Sequence, residues 1–300
     1  MESRDDLKQA VASFVEGYSI EITPHDADKL PAIAEALKPG TSVYVANLPG
    51  VPLDTVVKLS GRVKQLGFNP VPHIVARRVE SLDELDRALA ELQSLGVNEA
   101  LVIGGDVAAP KAPFDSSAEV LQTGLFAKHG FRAVGVAGHP EGSKAIGEAR
   151  VEKALRDKAE LAKTAGFEIR IVTQFGFDPE AVTEWEARTT AEGIALPIRV
   201  GMPGPASLRQ LARFAMVCGI GSSARMLMTR TGATANLLRT QAPDELVTHL
   251  AKHRAQHPSS RLKGTHFFCF GGVVKTANWA NAVAAGQFEL NAKATGFEVR

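Results

Sequence analysis

The sequence has almost no net charge and very little cysteine. Its 34 Lys and Arg residues nearly cancel 33 Asp and Glu, leaving a formal charge of +1. No long basic run breaks that balance, so nucleic acid and anionic membrane surfaces are excluded as electrostatic partners. The 2 cysteines, Cys218 and Cys269, each stand inside an apolar run. They are too few for a disulfide framework or a thiolate metal site and read as small buried hydrophobes in a reducing, cytoplasmic compartment. No stretch reaches the roughly 18 uninterrupted apolar residues of a membrane span. The N-terminus, Met1-Glu-Ser-Arg-Asp-Asp-Leu-Lys8, carries charge where a targeting segment has an apolar core, so neither export nor anchoring is expected. A glycine-rich dinucleotide turn is missing too. Pro24-His-Asp-Ala27 follows the first apolar strand, where a Rossmann domain would have G-x-G-x-x-G. The partial match Gly219-Ile-Gly-Ser-Ser-Ala224 follows a helical pattern and reads as a helix end and loop. Lys263-Gly-Thr265 and Gly271-Gly272 are weak phosphate-loop patterns that tight turns explain equally well.

What is present is a repeated unit. At 300 residues, 45% hydrophobic and 22% charged, the chain can bury one large core, and a single domain spanning 1–300 is expected. Short β-branched runs, each closing on a polar residue, predict strands over 19–23, 42–47, 71–75, 99–103, 132–137, 168–173, 197–200 and 264–270. Helical periodicity predicts a leading helix over 4–16. Further helices follow the strands at about 27–37, 53–66, 82–95, 118–128, 144–165, 179–192, 207–217 and 273–285, with a polar helical elaboration over 224–257 before the last strand. Eight strand–helix units point to an α/β fold, a (β/α)8 TIM barrel whose function sits at the C-terminal ends of its strands.

The polar strand ends carry a resemblance. Ile20-Glu-Ile-Thr-Pro24, Pro72-His73, Ile103-Gly-Gly-Asp106, Gly138-His-Pro-Glu141, Val172-Thr-Gln-Phe-Gly-Phe-Asp178 and His266-Phe-Phe268, in this order, resemble the motifs of methylenetetrahydrofolate reductase. The match spans nearly the whole chain and is similar to the short bacterial form, the catalytic barrel alone. The resemblance implies hydride transfer between NADH or NADPH and a tetrahydrofolate derivative through FAD, interconverting 5,10-methylenetetrahydrofolate and 5-methyltetrahydrofolate. It assigns catalysis to Glu21 and Asp106, folate contacts to Gln174, Phe175 and Asp106, and cofactor contacts to Ala46, His73, Gly105, Asp106, His139 and Lys158. No metal is implied. Oligomeric state, a homo-oligomer included, is not readable.

The chemistry supplies reasons for these residue types. Opening the five-membered ring between N5 and N10 needs an acid at N10, and Glu21, between Ile20 and Ile22, suits that role if apolar neighbours keep its carboxyl protonated. A structural ion pair is the plainer reading of an inward strand glutamate. Asp106 can stabilise a developing iminium or merely cap a turn, and Gln174 offers two donors and an acceptor to a pterin edge. A lone histidine such as His73 or His139 is often only a satisfied polar group. The chain also departs from the family's pattern. Ala46 replaces a threonine, Gly104 replaces the arginine of L-R-G-D, and Phe114-Asp-Ser-Ser117 offers no tyrosine. The segment from His139 to Gly166 is longer, and Met202-Pro-Gly-Pro-Ala-Ser207 lacks a stacking aromatic. The first three departures remove polar contacts to FAD, the aromatic missing from 202–207 is one that stacks on nicotinamide or folate, and the family includes flavin-free members. A folate-binding barrel without reductase activity is the alternative from another class. A phosphate-using barrel lyase ranks last, because no predicted strand ends in a Schiff-base lysine.

Overall fold

The computed structural model describes residues 3–105, 113–143, 146–217 and 240–299. Eight strands, β1 (Ser19–Ile22), β2 (Ser42–Val45), β3 (Asn69–Val75), β4 (Glu99–Ile103), β5 (Ala133–Gly138), β6 (Glu168–Thr173), β7 (Ile198–Pro203) and β8 (Leu262–Phe268), form a closed barrel in the order β1-β8-β7-β6-β5-β4-β3-β2. The registered pairs are parallel: Glu21 lies beside Tyr44, Tyr44 beside Val71, His73 beside Leu101, and His266 beside Gly201. The described helices are α1 (Arg4–Val15), α2 (Leu30–Ala36), α3 (Leu53–Gln65), α4 (Leu82–Ser94), α5 (Ser117–Gln122), α6 (Leu125–Lys128), α7 (Glu148–Ala162), α8 (Pro179–Ala191), α9 (Leu208–Val217), α10 (Asp244–Gln256) and α11 (Val273–Ala284). The architecture is therefore the (β/α)8 barrel expected from the alternation of patterns.

Helix starts follow local chemistry. Ser3 and Asp6 form a reciprocal capping box on α1, each side chain accepting from the other's backbone N–H at 3.0 Å. Ser81 caps α4 through Glu84 N–H at 3.0 Å. Boundaries differ from expectation where a single residue intervenes. The helix expected over 118–128 is two short helices, because Gly124 takes a left-handed φ of 73° between them. A 3-10 turn, Pro24–Lys29, precedes α2. The helix after β5 runs over Glu148–Ala162, within the expected 144–165. Within the elaboration expected over 224–257, α10 accounts for the last part. The remainder to 239, with Cys218 and the glycine pattern at 219–224, lies outside the described residues. Cys269 is buried, as expected. Among the described residues no helix is long and apolar enough to cross a membrane.

Backbone contacts group the chain into two compact units. In the unit formed by Ser19–Gly138 and Glu152–Val172, buried Tyr44, Val71, Leu101 and Val172 pack together, with Ile103 against them. Gly135 faces this cluster, and a Cβ there would stand 2.9 Å from Leu101 Cδ1 and 3.3 Å from Val172 Cγ2. Gly135→Ala would overpack the cluster at a cost of about 1–3 kcal/mol. At the strand starts, buried Glu99 receives the guanidinium groups of Arg132 and Arg170. Removing one partner of such a pair typically costs about 3–5 kcal/mol, because the other charge stays buried. In the unit formed by Met1–Tyr18, His139–Val151 and Thr173–Arg300, the buried carboxylate of Glu186 accepts from Ser260 Oγ at 2.9 Å and from the backbone N–H of Arg261. Arg261 in turn donates to the Glu186 carbonyl at 2.7 Å, tying α8 to the start of β8.

Candidate functional site

The strand ends of the first unit carry the acid and the histidine. Glu21 is the third residue of β1, between fully buried Ile20 and Ile22. Its side chain is 18% exposed, and Oε2 lies 3.5 Å from Nε2 of His73, itself buried on β3. Burial raises the Glu21 carboxyl above its ordinary value, while His73 pulls in the opposite direction and does not cancel the effect. A carboxyl that holds its proton more tightly than usual, next to an imidazole, is a proton donor in waiting. Tyr44 packs edge-on to His73, with ring centroids 6.2 Å apart.

The other positions of this unit stand on backbone. Ala46, 4% exposed, donates its N–H to the Ile22 carbonyl at 2.9 Å. Gly105 follows β4 with φ 98°, and a Cβ there would collide with Val75 Cγ1 at 2.6 Å, so side-chain bulk is excluded at that strand end. Asp106, expected in both catalysis and binding, lies outside the described residues. Lys158 is on α7, 6% exposed, and burial lowers its ammonium to about 8. Sequence reasoning passed over two arginines in the turn Ala76–Arg78. Arg77 donates to the Asp115 carbonyl and carboxylate at 2.9 and 3.0 Å and takes the Gly104 carbonyl on its own backbone N–H at 3.1 Å. Arg78 donates to the backbone and side-chain oxygens of Asn47. The signal was available: paired cations directly after an apolar strand.

In the second unit, His139, Glu141, Gln174, Phe175 and Gly176 line one small hollow. Gln174 follows β6 directly, and its Oε1 accepts the Phe175 N–H at 3.0 Å. A backbone N–H can only donate, so the hydrogen bond identifies the amide oxygen and leaves the NH2 out of this contact. Phe175 is 1% exposed and packs among Phe177, Phe268 and Phe270, with ring centroids 5.0–6.0 Å apart. Phe175 therefore sits beneath the hollow as support. Phe270 has φ 47° and stacks on Phe214 at 4.3 Å, an uncommon conformation for an aromatic residue. Glu141, quoted for its motif and given no role from sequence, accepts from the backbone N–H groups of Phe177 and Asp178 at 3.0 and 3.3 Å. Asp178 then caps α8 through Glu180 and Ala181. The described residues hold no cluster of metal-ligating side chains.

Comparison with known proteins adds to this geometry. A solved structure of an uncharacterized protein from Clostridium thermocellum, which binds two copies of 5-methyl-5,6,7,8-tetrahydrofolic acid, shares the fold with a TM-score of 0.62 at 14% identity, over 93% of this chain and 97% of that one. Dihydropteroate synthase from Thermus thermophilus aligns with a TM-score of 0.45 at 14% identity, over 89% and 92% of the two chains. The family model described as methylenetetrahydrofolate reductase matches residues 54–236, more than half of the chain, and covers β3 to β7 with His73, His139 and Gln174. The chain belongs to the methylenetetrahydrofolate reductase family.

Proposed function

We propose that the protein interconverts 5,10-methylenetetrahydrofolate and 5-methyltetrahydrofolate by hydride transfer from or to NAD(P)H. The observation that carries this reading is Glu21, whose carboxyl is raised by burial and lies 3.5 Å from His73, on a chain of this family. In the reducing direction the N10–carbon bond breaks, its electron pair stays on N10, and N10 takes the Glu21 proton. The carbon left on N5 as an iminium accepts the hydride. In the reverse direction the Glu21 carboxylate takes that proton back. Gln174 presents its NH2 to an acceptor on the pterin edge, and Asp106 carries the negative charge that stabilises the iminium. Support for a folate ligand also comes from the Clostridium thermocellum protein of the same fold, which binds 5-methyltetrahydrofolate.

For a flavin the reading rests on the residues that the family resemblance assigns to it. Gly105 and Ala46 leave backbone without bulk at two strand ends, and His73, Asp106, His139 and Lys158 supply the polar groups assigned to it. When bound, FAD relays two electrons between nicotinamide and folate. A flavin-independent reductase is the second reading, favoured by Gly104 and Ala46, where an arginine and a threonine of the family pattern are replaced by residues with no polar side chain. The test is nicotinamide oxidation by the purified protein with 5,10-methylenetetrahydrofolate, with and without added FAD. Folate binding that leaves both NADH and NADPH unchanged would make the protein a binding barrel instead of a reductase.

A further inference from the structure

We infer that Glu141 is the positioning residue for Gln174, a role that rests on the folate-binding reading above. Gln174 opens a five-residue bridge, 174–178, between β6 and α8, where no regular ladder holds the backbone N–H groups. Three of them, and two at the start of α8, have side-chain acceptors. Gln174 Oε1 takes the N–H of Phe175, Glu141 Oε1 takes those of Phe177 and Asp178, and Asp178 Oδ1 takes those of Glu180 and Ala181. Glu141 is the member that comes from elsewhere, from the loop after β5, 36 residues before Phe177. The bridge is built to admit it: a Cβ on Gly176 would lie 2.4 Å from Glu141 Oε1 and 3.1 Å from its Cδ. A glycine here has a steric reason, since any side chain would push the carboxylate off the two amides. Glu141, Gln174 and Gly176 line the same hollow, so the clamp is part of the wall that a ligand meets. The amides of 177 and 178 anchor the C-terminal end of the bridge, and the Gln174 side chain closes on Phe175 at its start. Glu141 makes no contribution to proton or hydride transfer in this scheme; it acts through Gln174.

Two measurements decide this, and they are independent. The first is amide hydrogen exchange in the folate-free protein. Glu141→Ala should speed exchange at Phe177 and Asp178, which lose their acceptor, and also at Phe175, whose acceptor is Gln174. Glu141→Gln keeps an oxygen acceptor and should leave all three near wild type. Unchanged exchange at Phe175 in Glu141→Ala overturns the positioning role, whatever the protein binds. The second is a double-mutant cycle read as the Kd for 5-methyltetrahydrofolate. Glu141→Ala should weaken binding about tenfold in the wild-type background and by less than about twofold in Gln174→Ala, the signature of two residues acting as one unit. Equal losses in both backgrounds overturn the inference. If the wild-type protein binds no 5-methyltetrahydrofolate, the proposed function fails, and the exchange result at Phe175 still decides the role of Glu141.

Discussion

Glu21 Oε2 and His73 Nε2 stand 3.5 Å apart, on β1 and β3 with Tyr44 of β2 packed against the imidazole. This arrangement puts an acid and a base in mutual contact in a buried setting. The Glu21 carboxyl is raised despite the histidine, so desolvation outweighs the attraction between the two.

Glu21→Gln keeps the size and hydrogen-bonding capacity of the side chain and removes its proton. Steady-state reduction of 5,10-methylenetetrahydrofolate should fall by roughly 10²–10⁴-fold, the usual worth of general acid catalysis. Near-normal turnover in this variant would take Glu21 out of the mechanism.

The same substitution has an opposite effect on stability. Because the folded-state value of Glu21 is raised, the native protein binds the proton more tightly than the unfolded chain does. The wild type therefore loses stability as pH rises from the ordinary glutamate value through the raised one. Glu21→Gln escapes that loss. Its Tm should exceed the wild type's at neutral pH, with the difference shrinking as the pH falls below the ordinary carboxylate range. A Tm difference that stays constant with pH would mean that burial does not perturb Glu21.

Gln174→Ala removes an amide side chain that lines the hollow and also the acceptor of the Phe175 N–H. Each loss of a buried hydrogen bond costs about 1–3 kcal/mol, so folate affinity should drop by about tenfold or more in a binding titration. Unchanged affinity together with a lowered melting temperature would make Gln174 purely structural.

Lys158 is 6% exposed and its ammonium is lowered to about 8 from an ordinary 10.5. Between those values the unfolded chain binds the extra proton, so stability rises as pH rises through that window, and the burial penalty is fully present below it. Lys158→Met should therefore stabilise the protein at neutral pH by up to roughly 3 kcal/mol, with the gain gone above the ordinary lysine value. A destabilised Lys158→Met that also loses FAD affinity would tie the ammonium to the cofactor.

FAD should bind weakly enough to be lost on purification, and added FAD should change the rate of folate reduction. The three polar side chains missing at Ala46, Gly104 and the Phe114–Ser117 stretch would each contribute about 1–3 kcal/mol, and together several orders of magnitude in affinity. A visible spectrum with flavin bands after gel filtration contradicts this. So does flavin-free protein whose rate is indifferent to FAD, which is the outcome the direct-transfer reading requires.

Much of the fold was legible in local pattern. Runs such as Ala100-Leu-Val-Ile103 and Ile169-Arg-Ile-Val172 are buried on both faces in a parallel barrel, so they read as strands without reference to anything distant. Prolines blurred the start of β3, which begins at Asn69 and includes Pro70 and Pro72. Both fall on the same parity, so their missing N–H groups lie on one side and leave the ladder on the other side intact. Gly124 was visible as a residue, but its left-handed break between α5 and α6 was not, because glycine adopts either hand and tertiary packing chooses.

The sequence by itself determined the alternation of strands and helices and the polar residues at the strand ends, since both depend on period and composition over a few neighbouring residues. Only the tertiary structure decided which of those residues meet. Glu21 and His73 are 52 positions apart and touch because β2 lies between β1 and β3 with a fixed register. Glu141 reaches Phe177 and Asp178 across 36 and 37 positions, and Gly176 has a purpose only beside it. Local sequence encodes the conformation of a segment, whereas a contact between distant segments arises from packing the whole barrel. The raised carboxyl of Glu21 and the clamp of Glu141 on the amides of 177 and 178 are properties of such packing.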